Sequence, residues 1–232
     1  MKRLTTLVMG LLLAGSALAD SGGNSVYIDQ TNADQSTVTI TQTGANNNVG
    51  SSNLTTGDPF AIDGNSMNLT INQDGMNNSI LGNFIGGNST ASISQIGNSN
   101  STTLNMGNFG TSNGSLGITF NGSNNNSILN IGTLHDSSNY NYDLTVTGNS
   151  NDITSTINSK NTNNSFTITG NSNTLTTLQT GANGTNGNGN NITASVIGSN
   201  NVIDVTQNGT TNPNSAVINL TGSNSTVSVT QH

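Results

Sequence analysis

The chain repeats a short alternating pattern, and this repeat constrains the fold more than any other feature. In residues 36–47, which read STVTITQTGANN, Val38, Ile40 and Gln42 share one parity and the threonines share the other. On an extended strand the two sets point to opposite faces. One face is therefore mixed apolar and amide, and the other is rich in hydroxyl groups.

A glycine closes each copy at a fixed interval. Within three groups the glycine positions differ by 11 or 22 residues. The groups are Gly64, Gly75, Gly86 and Gly97, then Gly148, Gly170 and Gly181, then Gly198 and Gly209. An 11-residue unit cannot bury its own apolar face, so such units are stable only when they stack on one another. The repeat predicts an all-β, cross-β (amyloid-like) fold, a β-solenoid of stacked strand-turn-strand repeats with about 22 residues per coil and about 11 per strand and turn.

Stacking explains why these residue types recur. Equivalent positions of successive coils lie about 4.8 Å apart, so identical side chains come into register. Buried Gln and Asn can then donate to and accept from their neighbours along the stack, which removes the cost of burying an amide. Gly and Asn at the corners allow the positive φ that a tight turn requires.

The composition excludes several classes of protein. Hydrophobic residues are 30% and charged residues 6% of the chain, against roughly 45–50% and about 25% in ordinary globular domains. The formal net charge is −7 with only three Lys and Arg, which disfavours nucleic-acid binding. There is no Cys, so disulfides and thiolate metal sites are absent, and no metal or cofactor is expected.

The sequence predicts that the protein is not an enzyme. General acid and base chemistry needs paired carboxylates or a His with a partner. The chain has no Glu, its Asp residues are scattered, and His135-Asp136 is its only adjacent pair of this kind. We interpret that pair as part of a solvated loop.

The chain divides into two parts. Residues 1–19 are predicted to be a secretory signal peptide, with Lys2 and Arg3 before an apolar stretch and Ala17-Leu18-Ala19 as the cleavage site. No later segment approaches the ~20 apolar residues of a membrane span, so residues 20–232 are predicted to be an exported repeat solenoid without membrane insertion.

Three stretches interrupt the period. Irregular insertions are predicted at about 49–63, 107–138 and 182–190. Pro59 lies in the first, and Pro fits only at a turn or an edge because it cannot donate to a ladder. Within the second stretch five residues are still predicted to be strand cores: Leu116, Ile118, Phe120, Ile128 and Ile131.

Five segments resemble the curlin repeat of bacterial curli fibres, which combines Ser, Gln, Gly and Asn at fixed spacing. They are Ser36-x5-Gln42-x-Gly44-x-x-Asn47, Ser89-x5-Gln95-x-Gly97-x-x-Asn100, the partial copies Gln73-x-Gly75-x-x-Asn78 and Gln207-x-Gly209-x-x-Asn212, and Ser225-x5-Gln231. Central and C-terminal repeats often replace the Gln by Val, Ile or Leu.

The resemblance implies a structural subunit of an extracellular functional-amyloid fibre, which assembles head-to-tail in a biofilm matrix and supports adhesion and surface colonisation. The implied partners are further copies of the chain, a nucleator subunit and an outer-membrane secretion channel, at the surface of a Gram-negative-type bacterium. The predicted stacking and self-assembly residues are Ser36, Gln42, Gly44, Asn47, Gln73, Gly75, Asn78, Ser89, Gln95, Gly97, Asn100, Gln179, Gly181, Gln207, Gly209, Asn212, Ser225 and Gln231.

Two other functions fit the same fold. A phage or adhesin fibre protein would show a similar secreted repeat. An ice-binding solenoid would use an outward Thr array, for which the candidates are Thr37, Thr39, Thr41, Thr145, Thr147, Thr167 and Thr169. Thr is also simply a good strand former.

Overall fold

The computed structural model describes eleven parts of the chain. They are residues 22–31, 35–50, 60–63, 66–85, 90–106, 115, 117–131, 141–158, 162–180, 189–209 and 213–232. Their regular structure consists of β-strands, every named pair of which is parallel. Across these residues we find no apolar helix of the length that a membrane crossing requires.

The strands form one long sheet and two short sheets. The long sheet contains β1 (Ser25–Val26), β2 (Ile28–Thr31), β4 (Asn48–Val49), β5 (Phe60–Asp63), β7 (Ser79–Ile85), β9 (Ser101–Met106), β10 (Asn126–Ile131), β13 (Asp152–Asn158), β15 (Thr174–Thr180), β17 (Val202–Asn208) and β19 (Thr226–Gln231). The N-terminal short sheet contains β3 (Thr37–Ala45), β6 (Asn68–Met76) and β8 (Thr90–Ile96). The C-terminal short sheet contains β11 (Asn141–Asp143), β12 (Val146–Thr147), β14 (Asn163–Thr169), β16 (Asn191–Ile197) and β18 (Ser215–Thr221).

Over most of its length the chain passes between the short-sheet side and the long-sheet side, and most strands pair with their equivalent one coil later. For example, β14 pairs with β16 and β16 with β18, while β15 pairs with β17 and β17 with β19. This path is a β-solenoid, so the predicted fold class is confirmed. Equivalent corner residues are separated by 31, 22, 25, 26, 22, 28 and 24 residues. The predicted 22-residue coil is therefore the shortest one observed, and the other coils carry extra residues between strands.

The core lies between the long sheet and the short sheets. Burial alternates strictly along β6 and β17, as the period-two pattern predicts. The interior is filled by Ile, Leu and Val with a few aromatic rings, including Phe60, Phe120 and Phe166. No charged side chain lies among the buried residues that the structure describes, because a lone charge between two sheets would be costly to desolvate.

Two of the three stretches predicted to be irregular, 49–63 and 107–138, contain regular strands. Val49 lies in β4, and Phe60 and Ile62 in β5 are fully buried. Residues 51–59, 107–114, 116, 132–138 and 182–188 lie outside the described residues.

One prediction for the second stretch is wrong, namely that Ile128 is a core residue. In β10 the buried side chains are Ser127 and Leu129, and Ile128 between them faces outward and is half-buried. The register between coils decides which side chains of β10 face the core, because Leu129 pairs with the buried Leu104 of the preceding coil. Ile118 and Phe120 are buried as predicted.

The junction between the two short sheets is less regular than the rest. Only two isolated bridges, Thr90 to Ser115 and Ser94 to Thr119, extend β8 toward the next coil within the described residues. Ile118 has φ 98° and Thr145 has φ 38°, and a positive φ at a β-branched residue is strained. The long sheet continues past this point through β9, β10 and β13.

Candidate self-assembly surface

A ladder of buried asparagines runs along one corner of the solenoid. Each copy has the form Gly-x-x-Asn, and its members are Asn47, Asn78, Asn100, Asn125, Asn151, Asn173 and Asn201, all 0–1% exposed. In each step the backbone N–H and Nδ2 of one Asn donate to Oδ1 of the preceding Asn, as for Asn151 on Asn125 at 3.1 and 3.0 Å. The same Nδ2 also donates to the glycine carbonyl of the following coil, Gly170 at 2.9 Å. Every amide in the ladder is therefore paired in both directions, which a buried polar group requires.

Glycine is required at the start of this corner. Gly44, Gly75, Gly97, Gly122, Gly148, Gly170 and Gly198 all have positive φ, and a Cβ on any of them would lie 1.7–2.2 Å from the carbonyl oxygen of the next glycine in the stack. The residue before each Asn also has positive φ, between 55° and 60°, and it is Asn or Ser in each case. These two positions let the coils approach at the spacing of a β-sheet.

An exposed second ladder runs beside the buried one. Its side-chain oxygens belong to Asn98, Ser123, Asn149, Asn171, Ser199 and Ser223. Each accepts from the backbone N–H of the preceding coil, as Asn149 does from Ser123 at 2.7 Å. The two ladders thus accept from opposite directions along the stack, and between them they satisfy corner N–H groups that sheet pairing leaves free.

Glutamines form a ladder in the N-terminal short sheet. Nε2 of Gln42 donates to Oε1 of Gln73 at 2.8 Å, and Nε2 of Gln73 donates to Oε1 of Gln95 at 2.8 Å. The ladder ends where Nε2 of Gln95 donates to Oγ1 of Thr102 at 3.1 Å. Each Nε2 also reaches a backbone carbonyl of the facing long sheet, as Gln73 does to Asn48 at 3.2 Å, so the ladder ties the two sheets together.

A second glutamine ladder lies in the opposite sheet, at the other end of the solenoid. Gln179, Gln207 and Gln231 of the long sheet are in register, and their Nε2 to Oε1 distances are both 2.9 Å. The equivalent short-sheet position in these coils is apolar, namely Ile168, Val196 and Leu220. Glutamines come in blocks because a single Gln within an apolar column would leave its amide unpaired, at a cost of about 1–3 kcal/mol.

The predicted site residues fall into separate ladders instead of one. Gln42, Gln73 and Gln95 share one ladder and Asn47, Asn78 and Asn100 another, whereas Gln179, Gln207 and Gln231 lie in the opposite sheet. Gly44, Gly75 and Gly97 stack at the Asn corner. Gly209 is buried beyond the end of β17, on the strand that carries Gln207. Ser89, Gly181 and Asn212 lie outside the described residues.

The two serine motifs, which look equivalent in the sequence, occupy different places. Oγ of Ser36 accepts from the backbone N–H of Met67 at the entry to a short-sheet strand. Ser225 instead stands where an eighth Asn would continue the corner ladder, and its N–H donates to Oδ1 of Asn201 at 3.0 Å. The prediction that Ser225-x5-Gln231 repeats Ser36-x5-Gln42 is therefore wrong, because it belongs to the other sheet.

The motif did not predict five asparagines of the buried corner ladder. Oδ1 of Asn24 accepts the N–H of Asn47 at 2.9 Å and so begins the ladder, and Asn125, Asn151, Asn173 and Asn201 continue it. The last four lack the preceding Gln of the repeat but keep Gly-x-x-Asn. That shorter pattern was the signal that could have found them.

The outward Thr array is discontinuous. Thr37, Thr39 and Thr41 are exposed on β3, but Asn68 and Asn72 stand beside Thr37 and Thr41 on the next strand. Among these three, only the column of Thr39 continues with a Thr. In the C-terminal short sheet Thr147 pairs with Thr169, but that column continues with Ile197, and Thr167 is followed by Ser195. A flat hydroxyl lattice of the kind that ice binding needs does not extend across this face.

The acidic side chains that the structure describes lie on the surface. Asp29, Asp74, Asp143, Asp152 and Asp204 are all exposed, and no group of three His, Cys or Asp side chains in the described ranges could hold a metal ion. His135, Asp136 and Lys160 lie outside those ranges.

Both ends of the solenoid expose strand edges. β3 at one end and β18 and β19 at the other have a partner on one side only within the described residues. Core-facing side chains are only half-buried there, namely Ile28, Val38 and Ile40 at one end and Leu220, Val227 and Val229 at the other. An unpaired edge with its core columns open is a template for another strand.

Stacked parallel coils with buried amide ladders define this protein as a β-solenoid repeat protein. The sequence model of the curlin associated repeat matches residues 198–232, a segment that includes β17, β18 and β19. The match confirms the resemblance to the curlin repeat for this part of the chain. No curated protein and no solved structure gives a significant match.

Proposed function

We propose that this protein is a structural subunit of an extracellular functional-amyloid fibre of the curli type, assembled head-to-tail. The observation that carries the proposal is the pair of open parallel edges, each with apolar core columns that the described coils leave half-covered. Head-to-tail addition does not close on itself, so it produces a filament.

The register of the long sheet also supports head-to-tail addition, in which the C-terminal edge of one copy meets the N-terminal edge of the next. One column runs from Gln30 in β2, through Ile62, Phe84, Met106, Ile131 and Ile157, to Gln179, Gln207 and Gln231. The first and last described strands of this column therefore both carry Gln. A second copy added in register would place Gln30 next to Gln231 in the same column.

In this role the fibre would contribute to biofilm matrix, adhesion and surface colonisation. The predicted signal peptide at residues 1–19 supports export, and the curlin resemblance supports a nucleator subunit and an outer-membrane secretion channel as partners. The low charge of the chain favours close stacking, because like charges at the spacing of adjacent strands repel.

A charge placed in an edge column should block growth without unfolding the subunit. Val229 is half-buried in β19, and Thr230 next to it points outward. We expect Val229→Lys to weaken addition of the next copy by about 3 kcal/mol, roughly 100-fold, because the joint would bury an unpaired ammonium group. Thioflavin fluorescence of seeded reactions measures the elongation rate.

Thr230→Lys is the matched control, since it adds the same charge to the same strand on the solvent side. It should elongate within a few-fold of the wild type. Equal elongation by both variants, with circular dichroism showing both still β-rich, would argue against this edge as the joint.

A further inference from the structure

One core-facing column of the solenoid differs in chemistry between its two ends. It lies two residues before each glycine of the corner stack that runs from Gly44 to Gly222. Its successive members are Gln42, Gln73, Gln95, Phe120, Val146, Ile168, Val196 and Leu220. In this column the N-terminal edge therefore presents an amide, whereas the C-terminal edge presents an apolar side chain.

The amide at the N-terminal edge offers an acceptor to an incoming strand. Nε2 of Gln42 donates to Oε1 of Gln73 at 2.8 Å and to the carbonyl of Ser25 at 3.2 Å, so both of its N–H groups are used. Because Nε2 points toward the following coil, Oε1 of Gln42 lies on the side of the open edge. No described residue donates to it, and the side chain is half-buried. A partner strand on this edge must therefore supply the donor.

Joining two identical copies would cover this acceptor without supplying a donor. The corner stack ends at Gly222 in one copy and begins at Gly44 in the next. In-register addition, which the proposed function already assumes, therefore places Leu220 against Gln42. A Leu side chain cannot donate a hydrogen bond, and the covered joint excludes water. Leaving a buried acceptor unpaired weakens such an association about tenfold.

The interior of the solenoid contains the same arrangement. Gln179 begins the C-terminal glutamine ladder, and the residue before it in its column is Ile157. Oε1 of Gln179 is buried, and no protein group donates to it. A Gln that follows an apolar residue in a column thus has an unpaired acceptor, as Gln42 would have at the joint.

The long sheet does not carry this mismatch. Its column from Gln30 to Gln231 has Gln at both ends. Nε2 of Gln231 donates to the carbonyl of Ser215 at 3.0 Å, which leaves its second N–H for a following strand. The mismatch is therefore confined to the short-sheet column.

We propose that Gln42 determines which strand the N-terminal edge accepts. It favours a parallel strand with an inward-facing Gln in the same column, because Nε2 of that Gln can donate to Oε1 of Gln42 as Gln42 donates to Gln73. It disfavours the Leu220 edge of an identical copy. Identical copies therefore join more weakly than a copy joins a solenoid that ends in Gln.

A double-mutant cycle on the critical concentration for fibre formation tests this role, with the full mature chain and the protein left in solution after ultracentrifugation as the readout. Leu220→Gln supplies the missing donor and Gln42→Leu removes the acceptor, so each should lower the critical concentration about tenfold. The double variant reverses the mismatch and should return to about the wild-type value. Thr41→Val is the control on the outward side of β3, and it should stay within about twofold of the wild type.

Circular dichroism shows whether each variant folds. Gln42→Leu also removes the donor to Gln73, so Leu220→Gln carries the test if that variant unfolds. The role of Gln42 is overturned if neither single variant joins more tightly than the wild type, or if the two effects add in the double variant. Unfolding of both single variants would overturn it as well, because the two positions would then serve the fold of one copy. Fibres of equal critical concentration from all variants would contradict this role alone, whereas no fibres from any of them would contradict the proposed function too.

Discussion

Gly170→Ala should prevent the solenoid from forming. The new Cβ would lie 1.9 Å from the carbonyl oxygen and 2.7 Å from the carbonyl carbon of Gly198, and Gly170 has φ 133°. Backbone atoms of the next coil cannot move aside without breaking the parallel pairing of β14 with β16. We expect a destabilisation of about 4 kcal/mol or more, seen as loss of the β-sheet signal in circular dichroism and rapid proteolysis.

Gly222→Ala separates the two causes of that loss. Gly222 has the same kind of backbone, with φ 147°, but its Cβ would meet only Oγ of Ser225 at 3.9 Å. It should cost only the strain of positive φ, about 1–2 kcal/mol. Equal damage from both substitutions would show that strain alone, and not the approach of successive coils, makes glycine necessary at this corner.

Asn151→Ala should be nearly as damaging. The side chain donates to Oδ1 of Asn125 and to the carbonyl of Gly170, and it accepts from the N–H and Nδ2 of Asn173. Truncation would leave buried groups on both neighbouring coils unpaired, at about 3–5 kcal/mol in total. Denaturant unfolding followed by circular dichroism gives the change.

Asn149→Ala is the control, two residues away in the same corner. Asn149 is exposed and accepts from the N–H of Ser123 at 2.7 Å, and water can replace that bond. It should cost less than about 1 kcal/mol. A cost for Asn149→Ala that matched that of Asn151→Ala would contradict the dominance of the buried ladder.

Much of this architecture could be predicted from the sequence because its rules are local and periodic. The alternation in Val38, Ile40 and Gln42 specifies which face is inside, and the interval between Gly75 and Gly97 gives one full coil. Both features need only the geometry of a strand and a turn.

The assignment of copies to the two sheets could not be predicted, because it depends on register between coils. Gln-x-Gly occurs at Gln42 and at Gln207, yet the first precedes the Asn corner and the second lies in the long sheet. Ile128 shows the same limit, since only pairing of Leu129 with Leu104 reveals that Ser127 faces inward. Local chemistry alone cannot choose between two strands that share one pattern.

The exposed corner ladder could not be predicted from the sequence for a different reason. Asn and Ser alternate freely among Asn98, Ser123 and Asn149 because any side-chain oxygen at this position can accept the N–H of the preceding coil. A position that needs an acceptor and not a particular residue leaves little trace in a sequence already rich in Asn, Ser and Thr.

Seeded fibre growth tests the central claim most directly. Purified residues 20–232 would be incubated at neutral pH with and without sonicated seeds, followed by thioflavin fluorescence, and the product examined by fibre diffraction. A self-templating subunit predicts that seeds remove the lag phase and that the fibres give a meridional reflection near ~4.8 Å. A protein that stays monomeric and β-rich for days with seeds present would contradict the proposal that its open edges join copy to copy.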